Sequence, residues 1–590
     1  MKVIKIGSEN FIKLLKNITG VNADIEDADI ENNTCYIIET TPNINNCINY
    51  IGVTSALKVY LNLVQNKYDN FKIVLCGFEN ELNFYRDCKQ SDILRLPNVY
   101  YHKINSENEI NTDLQKLDLD LIIDSLKLIH IEAPTSYKSH HSIANEWALL
   151  RYSSMFEKDE ENEDYKNLIS KIKKLDFIKT LYFQYQEALI SRQKINKKHL
   201  YTPKVSNVNG LTIGVVDDEI DKGYGFFYNY LLKKSGANAV ETFSFIKGED
   251  KKIMLKRFEK WFDEVKSEID IFIIDLRLND TDFYETKTSR LSGIQVILLI
   301  KEKNPGIQII VSTASNKTWN LQECLKYGVD AYFVKESPEL YSSREETKQS
   351  LIHLTKEIEK SAKKIFLAEM FRKIEFIKNN NCLSKETEFQ DLVFKKNGFL
   401  DQLFGLLNTD STNKSILNQC LLICYKILEK YCSLKSISDF GKDKENKISS
   451  GRIFLNDGTV KDTFINKEGT IYTLFQLKIA IFCFQKDKRT TPVKFTPFQE
   501  MQVFTCNKNG LDITFVTKMV SVLFYRDNIE ENNVNEIIKW RYYRSNVSAH
   551  YTGNVDTDKL KLDANTIHFF IKIFYQIFTH KTTLVNKLQP

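Results

Sequence analysis

Asp217, Asp218 and Asp275 each stand at or just beyond the end of a short apolar run, Leu211-Thr-Ile-Gly-Val-Val for the pair and Ile271-Phe-Ile-Ile for the single aspartate. Thr313 and Lys335 close two further runs, Ile309-Ile-Val-Ser and Ala331-Tyr-Phe-Val. Three carboxylates brought together repel one another, and a hard divalent cation with oxygen ligands such as Mg2+ relieves that repulsion. A second set lies far downstream, in Trp540-Arg-Tyr-Tyr-Arg544-Ser-Asn546-Val-Ser-Ala-His550. Histidine titrates near neutral pH, whereas arginine stays charged and forks onto phosphate oxygens. On one helix Asn546 and His550, four residues apart, share a face.

The first set requires a particular scaffold. Short β-branched runs alternating with helical patterns predict parallel strands buried on both faces, and ligands in such sheets sit beyond the carboxyl ends of the strands. The fold class expected over this stretch is therefore α/β, with a parallel sheet. Side chains from all four runs then meet at one sheet edge.

Residues 210–342 resemble the receiver domain of two-component response regulators, which implies a flavodoxin-like, doubly wound α/β domain. The resemblance implies that Asp217 and Asp218 bind Mg2+ with Asp275 and the backbone carbonyl of Arg277, and that Asp275 is the phosphoacceptor. It also implies that Thr313 and Lys335 bind the phosphoryl oxygens and that Tyr332 is the switch aromatic. A sensor histidine kinase or another phosphodonor is the implied partner. Two departures stand out. A polar segment, Asp280 to Arg290, intervenes before Ser292-Gly293, and Glu336 follows the lysine where the family usually has proline, with Pro338 two residues on.

A chain of 590 residues is expected to form several domains, and 42% hydrophobic with 27% charged residues is an ordinary globular composition. A formal net charge of +5 is too small to indicate nucleic acid by itself, so any RNA contact is local. The 11 cysteines show no zinc spacing, and Cys420 and Cys424 flank Leu421-Leu-Ile, a setting for buried thiols. Met1-Lys-Val-Ile-Lys opens a strand-like run rather than a leader, and no apolar stretch is long enough to span a bilayer. The expected location is the cytoplasm, without a membrane partner.

The first 110 residues carry a weaker echo of the receiver pattern. Cys35-Tyr-Ile-Ile-Glu39 parallels Ile271 to Asp275, Gly52 parallels Gly293, Phe71 to Cys76 parallels Gln308 to Thr313, and Val99 to Lys103 parallels Ala331 to Lys335. Glu39 takes the place of Asp275, and Gly7-Ser8-Glu9 replaces the acidic pair. Residues 1–110 therefore read as a receiver-like pseudodomain, and 111–209 as a helical hairpin spacer and linker, with helices from near His140 and from Tyr165 through Leu189.

Residues 343–590 read as a helical output domain, with a hairpin-like interruption at Arg452 to Ile471. Near 510–580, helical runs flank the Arg544 to His550 segment, an arrangement that resembles the all-α HEPN superfamily, marked by an arginine and a histidine four to six residues apart. The resemblance implies a metal-independent endoribonuclease assembled across a homodimer, with His550 as acid/base, Arg544 as phosphate clamp and Asn546 as orienting group. Taken whole, the chain reads as a multidomain α/β plus all-α response regulator. Phosphorylation of Asp275 gates an RNA-cleaving output in stress or anti-phage defence; the alternative is a non-catalytic scaffold or phosphate sink that binds a protein partner.

Overall fold

A computed structural model of the chain describes residues 2–23, 30–40, 50–104, 109–134, 140–190, 201, 203–266, 268–314, 318–340, 342–381, 383 and 386–436. Toward the carboxyl end it describes short strands between 440 and 511, residues 519, 523 and 527, and the segments 529–544 and 562–579. The chain divides into two compact units, Met1–Ile300 with Gln308–Lys363, and Lys301–Ile307 with Lys364–Pro590.

The first unit contains two parallel five-stranded sheets. One is built from β1 (Lys2–Ile6), β2 (Val21–Asn22), β3 (Thr34–Glu39), β4 (Phe71–Gly77) and β5 (Val99–Lys103), with helices α1 (Glu9–Leu14), α2 (Ile51–Gln65) and α3 (Glu81–Asp87) between them. A helical segment follows, comprising α4 (Leu119–Ser125), α5 (His140–Met155), α6 (Glu163–Lys173) and α7 (Leu181–Leu189). The second sheet has β6 (Thr212–Val216), β7 (Ala239–Thr242), β8 (Ile271–Ile274), β9 (Gln308–Thr313) and β10 (Ala331–Val334). Its helices are α8 (Tyr224–Lys233), α9 (Lys251–Val265), α10 (Ser292–Lys303), α11 (Thr318–Lys326) and α12 (Arg344–Ala362).

The strand orders are β2-β1-β3-β4-β5 and β10-β9-β8-β6-β7, so both sheets place their second strand at one edge and their first beside it. That is the doubly wound order, and in the interior strands it follows from β-branched runs whose side chains are buried on both faces. The two sheets also share a close approach. A Cβ at Gly293 would overlap the Asp275 carbonyl oxygen and Leu276 Cα, and a Cβ at Gly52 would overlap the Glu39 carbonyl oxygen and Thr40 Cα. Gly293 N donates to Leu276 O and Gly52 N to Thr40 O, so each glycine lets a helix start against the end of the third strand.

Three local expectations are modified. The run from Tyr165 through Leu189 is two helices, because Phe177 turns inward to pack on Phe183 at 4.8 Å and a short 3-10 turn, Asp176–Lys179, separates them. The helical stretch expected from residue 343 opens with two separate helices, Arg344–Ala362 and Phe366–Asn380. The polar segment after Asp275 folds into two 3-10 turns, Asp280–Tyr284 and Thr288–Arg290. Asp282, fully buried, anchors it by accepting from Leu278 N, Ser292 N and the Ser292 hydroxyl, and by pairing with Lys251 of α9 at 2.7 Å.

The second unit packs helices Phe366–Asn380, Phe399–Thr409, Lys414–Ser436, Glu531–Tyr543 and Ala564–Thr579 around an apolar core that includes Leu421, Cys424, Tyr425, Ile537, Phe570 and Phe574. Its strands include a four-stranded antiparallel sheet between Phe440 and Tyr472, in which Ile448–Phe454 pairs with Val460–Ile465. Cys420 and Cys424 are buried in the core as free thiols. Among the described residues no helix is long and apolar enough to cross a membrane.

Candidate functional site

The site grows from the carboxyl ends of β6, β8, β9 and β10. In-register pairing of β6 with β8 (Val216 with Ile274), of β8 with β9 (Ile274 with Val311) and of β9 with β10 (Thr313 with Val334) brings the strand ends side by side. The residues that follow therefore share one edge. Ligand atoms of Asp217, Asp218 and Asp275 lie within 4.8 Å of one another. Lys335 reaches across the strands, its ammonium donating to Asp217 Oδ2 at 2.9 Å and to Asp275 Oδ2 at 3.1 Å.

Asp217, Asp275 and Lys335 are each at most 2% exposed, so this is a charge cluster withdrawn from water. Burial works against the charge on Lys335, but the Asp217 and Asp275 carboxylates outweigh it and hold its pKa well above the usual lysine range. Asp218 has an exposed surface, yet desolvation of its carboxyl by packed neighbours, followed by repulsion from Asp217 and Asp275, pushes its pKa well up. Backbone donors order the rest. Glu219 N donates to Asp217 Oδ1 at 2.9 Å and Arg277 N to Asp275 Oδ1 at 3.3 Å. The donor set is all oxygen and strongly anionic at a single edge, which fits a hard divalent cation.

Thr313 is fully buried at the end of β9, and its carbonyl accepts from Lys335 N at 2.7 Å, so hydroxyl-bearing residue and ammonium-bearing residue are tied through the backbone. Tyr332 is half-buried on β10, on the strand face opposite Phe333. Arg277 is half-buried, with its guanidinium 5.9 Å from the Phe283 ring centroid.

The structure brings further residues to this cluster that the strand-end pattern does not single out. The Lys335 ammonium lies 4.2 Å from the ring centroid of Tyr224, the first residue of α8. Gly223, at φ 136, lets the chain turn sharply into that helix. Glu336 is buried directly behind Lys335; its amide donates to the Tyr152 hydroxyl at 3.0 Å, and its carboxylate faces the Arg151 guanidinium at 3.7 Å. The sequence signal for Glu336 is its place after the lysine, but Tyr152 and Arg151 lie more than a hundred residues upstream, beyond the reach of periodicity.

In the amino-terminal sheet the position matching Asp275 behaves differently. Glu39 accepts from Ser8 N at 2.7 Å, and Lys103 is exposed. In the second unit Arg544 donates to Glu429 Oε1 at 2.8 Å and sits 5.6 Å from the Tyr425 ring centroid. Asn546 and His550 lie outside the described residues, as do the side chains of His140 and His141 at the start of α5.

No family model and no curated protein matches the chain. Among solved structures, the chain is similar to a complex of CheX, CheY, beryllofluoride and Mg2+ from Borrelia burgdorferi, at 17% identity and a TM-score of 0.17, over 25% of this chain and 90% of that one. It is similar to a CheY-like response regulator receiver domain from Methanospirillum hungatei JF-1 at 22% identity and a TM-score of 0.16, over 25% of this chain and 99% of that one. It is also similar to a response regulator from Burkholderia pseudomallei with a phosphorylated aspartic acid, a calcium ion and citrate, at 18% identity and a TM-score of 0.16, over 35% of this chain and 89% of that one.

Proposed function

We propose that residues 210–342 form a phosphorylation-controlled receiver with Asp275 as phosphoacceptor, and that the chain is a response regulator served by a sensor histidine kinase or another phosphodonor. The observation that carries this reading is the buried Lys335 ammonium bridging Asp217 and Asp275, with Asp218 alongside. A carboxylate oxygen of Asp275 attacks the donor phosphorus; the bond from phosphorus to the leaving group breaks, and the leaving group departs with its electron pair. The Asp217, Asp218 and Asp275 carboxylates and the Arg277 carbonyl would hold Mg2+, whose chemistry is neutralisation of charge on the transferring phosphoryl group. Lys335 then moves its hydrogen bonds to the new phosphoryl oxygens, Thr313 donates its hydroxyl to another, and Tyr332 repacks with the loop between them.

For the output, we carry forward the HEPN-like reading in which Arg544, Asn546 and His550 cleave RNA without metal, within a homodimer. One observation favours the non-catalytic alternative: Arg544 is already engaged by Glu429 and stacked near Tyr425, which leaves its fork less free for phosphate. Incubation of purified protein with total RNA, Mg2+ and a beryllofluoride phosphoryl mimic separates the two. Fragments lost in His550→Ala, and responsive to the mimic only when Asp275 is present, support a gated ribonuclease. Absence of His550-dependent cleavage under either condition contradicts it and leaves the scaffold reading.

A further inference from the structure

Helix α5 is buried on two faces at once. Ile143 and Trp147 enter the core of the amino-terminal sheet domain, with Trp147 stacked on Phe183 of α7 at 6.1 Å. Residues on its other face meet the second sheet domain: Tyr152 packs on Phe333 at 5.7 Å and on Phe227 at 6.0 Å. The spacing of these residues, 143 and 147 against 145 and 152, places them on opposite sides of one helix.

Several residues that back the carboxylate and lysine cluster also touch α5. The Tyr224 ring underlies the Lys335 ammonium, and the Tyr224 hydroxyl donates to Asn145 O at 2.8 Å. Lys222 donates to Glu219 Oε1 at 3.0 Å and pairs with Glu146 at 3.2 Å. Behind Lys335, Thr347 accepts from Arg151 Nη2 at 2.8 Å and donates to Glu336 Oε2 at 3.1 Å. Three separate contacts therefore run from the rear of the site to a single helix. They are not fully satisfied: Arg151 Nε and Glu336 Oε1 are buried without a hydrogen-bond partner among the described residues. An interface closed by an incomplete set of polar contacts is one that a small displacement can rearrange.

We infer that Tyr224 is a positioning residue for the Lys335 ammonium, and that the Tyr224–Asn145 and Glu336–Arg151 contacts make α5 the element that carries the state of the site to the amino-terminal sheet domain. The inference rests on the phosphoacceptor reading of Asp275. When Lys335 shifts from Asp217 toward a phosphoryl oxygen, the ring beneath it and the peptide behind it must follow, because the interior is close-packed. Both motions end on α5, whose far face is the core of the other sheet domain.

The test uses the full chain with Mg2+ and beryllofluoride. Fluorine NMR of bound beryllofluoride reports occupancy, and hydrogen exchange over residues 143–155 reports α5. In the wild type, occupancy is expected to change exchange in α5, and Arg151→Gln is expected to bind the mimic equally well while losing most of that change. Tyr224→Leu is expected to weaken mimic affinity by about tenfold through loss of the ring under the ammonium, and Tyr224→Phe to restore it. The inference is overturned if the wild type binds the mimic with no exchange response in α5. It is also overturned if Tyr224→Leu, shown to be folded by its circular dichroism, binds as the wild type does. Failure of the wild type to bind the mimic at all overturns the phosphoacceptor reading itself and this inference with it.

Discussion

Lys335 and Tyr224 meet as a buried cation over a buried ring, with the ammonium 4.2 Å from the ring centroid, while the same ammonium bridges Asp217 and Asp275. The lysine is thus held from three sides. In this arrangement it serves as the counter-charge to carboxylates that otherwise repel, and a cation held by the proposed metal site would compete with it for the same oxygens.

Lys335→Met therefore exposes the repulsion. Removing one partner of a buried ion pair leaves the other charge uncompensated, at about 3–5 kcal/mol. Thermal unfolding of the variant in EDTA should show a loss of that order, and added Mg2+ should recover more stability in the variant than in the wild type. Equal recovery in both would count against a shared set of oxygens.

The two glycines give a paired prediction. Gly293→Ala and Gly52→Ala each force a Cβ onto the backbone at the end of the third strand, and overpacking of this kind costs about 1–3 kcal/mol. Both variants should unfold at lower temperature. Only Gly293→Ala should weaken Mg2+ binding, measured by titration calorimetry, because only there does the displaced strand end carry a carboxylate of the proposed metal site.

Glu336 sets a pH dependence. Burial, only partly countered by Arg151, raises its pKa from 4.5 to about 7. The folded state then keeps a proton that the unfolded chain has lost, so stability falls as pH rises from 4.5 toward 7 and levels off above. The slope is about 1.4 kcal/mol per pH unit for a single proton. Urea unfolding across this range should show a steeper decline in the wild type than in Glu336→Gln; parallel curves would remove Glu336 as the cause.

Asp282 pins the segment after the proposed phosphoacceptor. Asp282→Ala removes the buried counter-charge of Lys251, which keeps only the Arg290 carbonyl, takes the acceptor from Ser292 N and leaves Leu278 N with the Ser292 hydroxyl alone, a loss of about 3 kcal/mol. Limited proteolysis should then cut within residues 280–290, which the wild type protects. Equal protection in both proteins would show that the carboxylate is not the anchor.

Much of this site was legible because its chemistry sits at strand ends, and apolar runs such as Ile271 to Ile274 announce strands whose last residue must face the sheet edge. The echo in the first sheet was legible for the same reason, through Cys35 to Glu39 and Gly52. The edge strand Ala239–Thr242 was not singled out, since it is short and only half-buried and lacks a strong apolar run. Tyr224 and Arg151, and the partners of Glu336, are not legible because they depend on contacts across 111, 185 and 196 residues (Lys335 with Tyr224, Glu336 with Arg151, Thr347 with Arg151). No local period encodes such contacts. Arg544 is singled out only by the HEPN resemblance, whereas its partner in the fold, Glu429, comes from a helix 115 residues earlier.

The most direct test of the central claim is intact-mass spectrometry after incubation with Mg2+ and a small phosphodonor such as acetyl phosphate or phosphoramidate, comparing wild type with Asp275→Ala. The account predicts addition of a single phosphoryl group to the wild type, dependent on Mg2+ and absent from the variant. A wild type that takes up no phosphoryl group, or a variant that takes up as much, would contradict it.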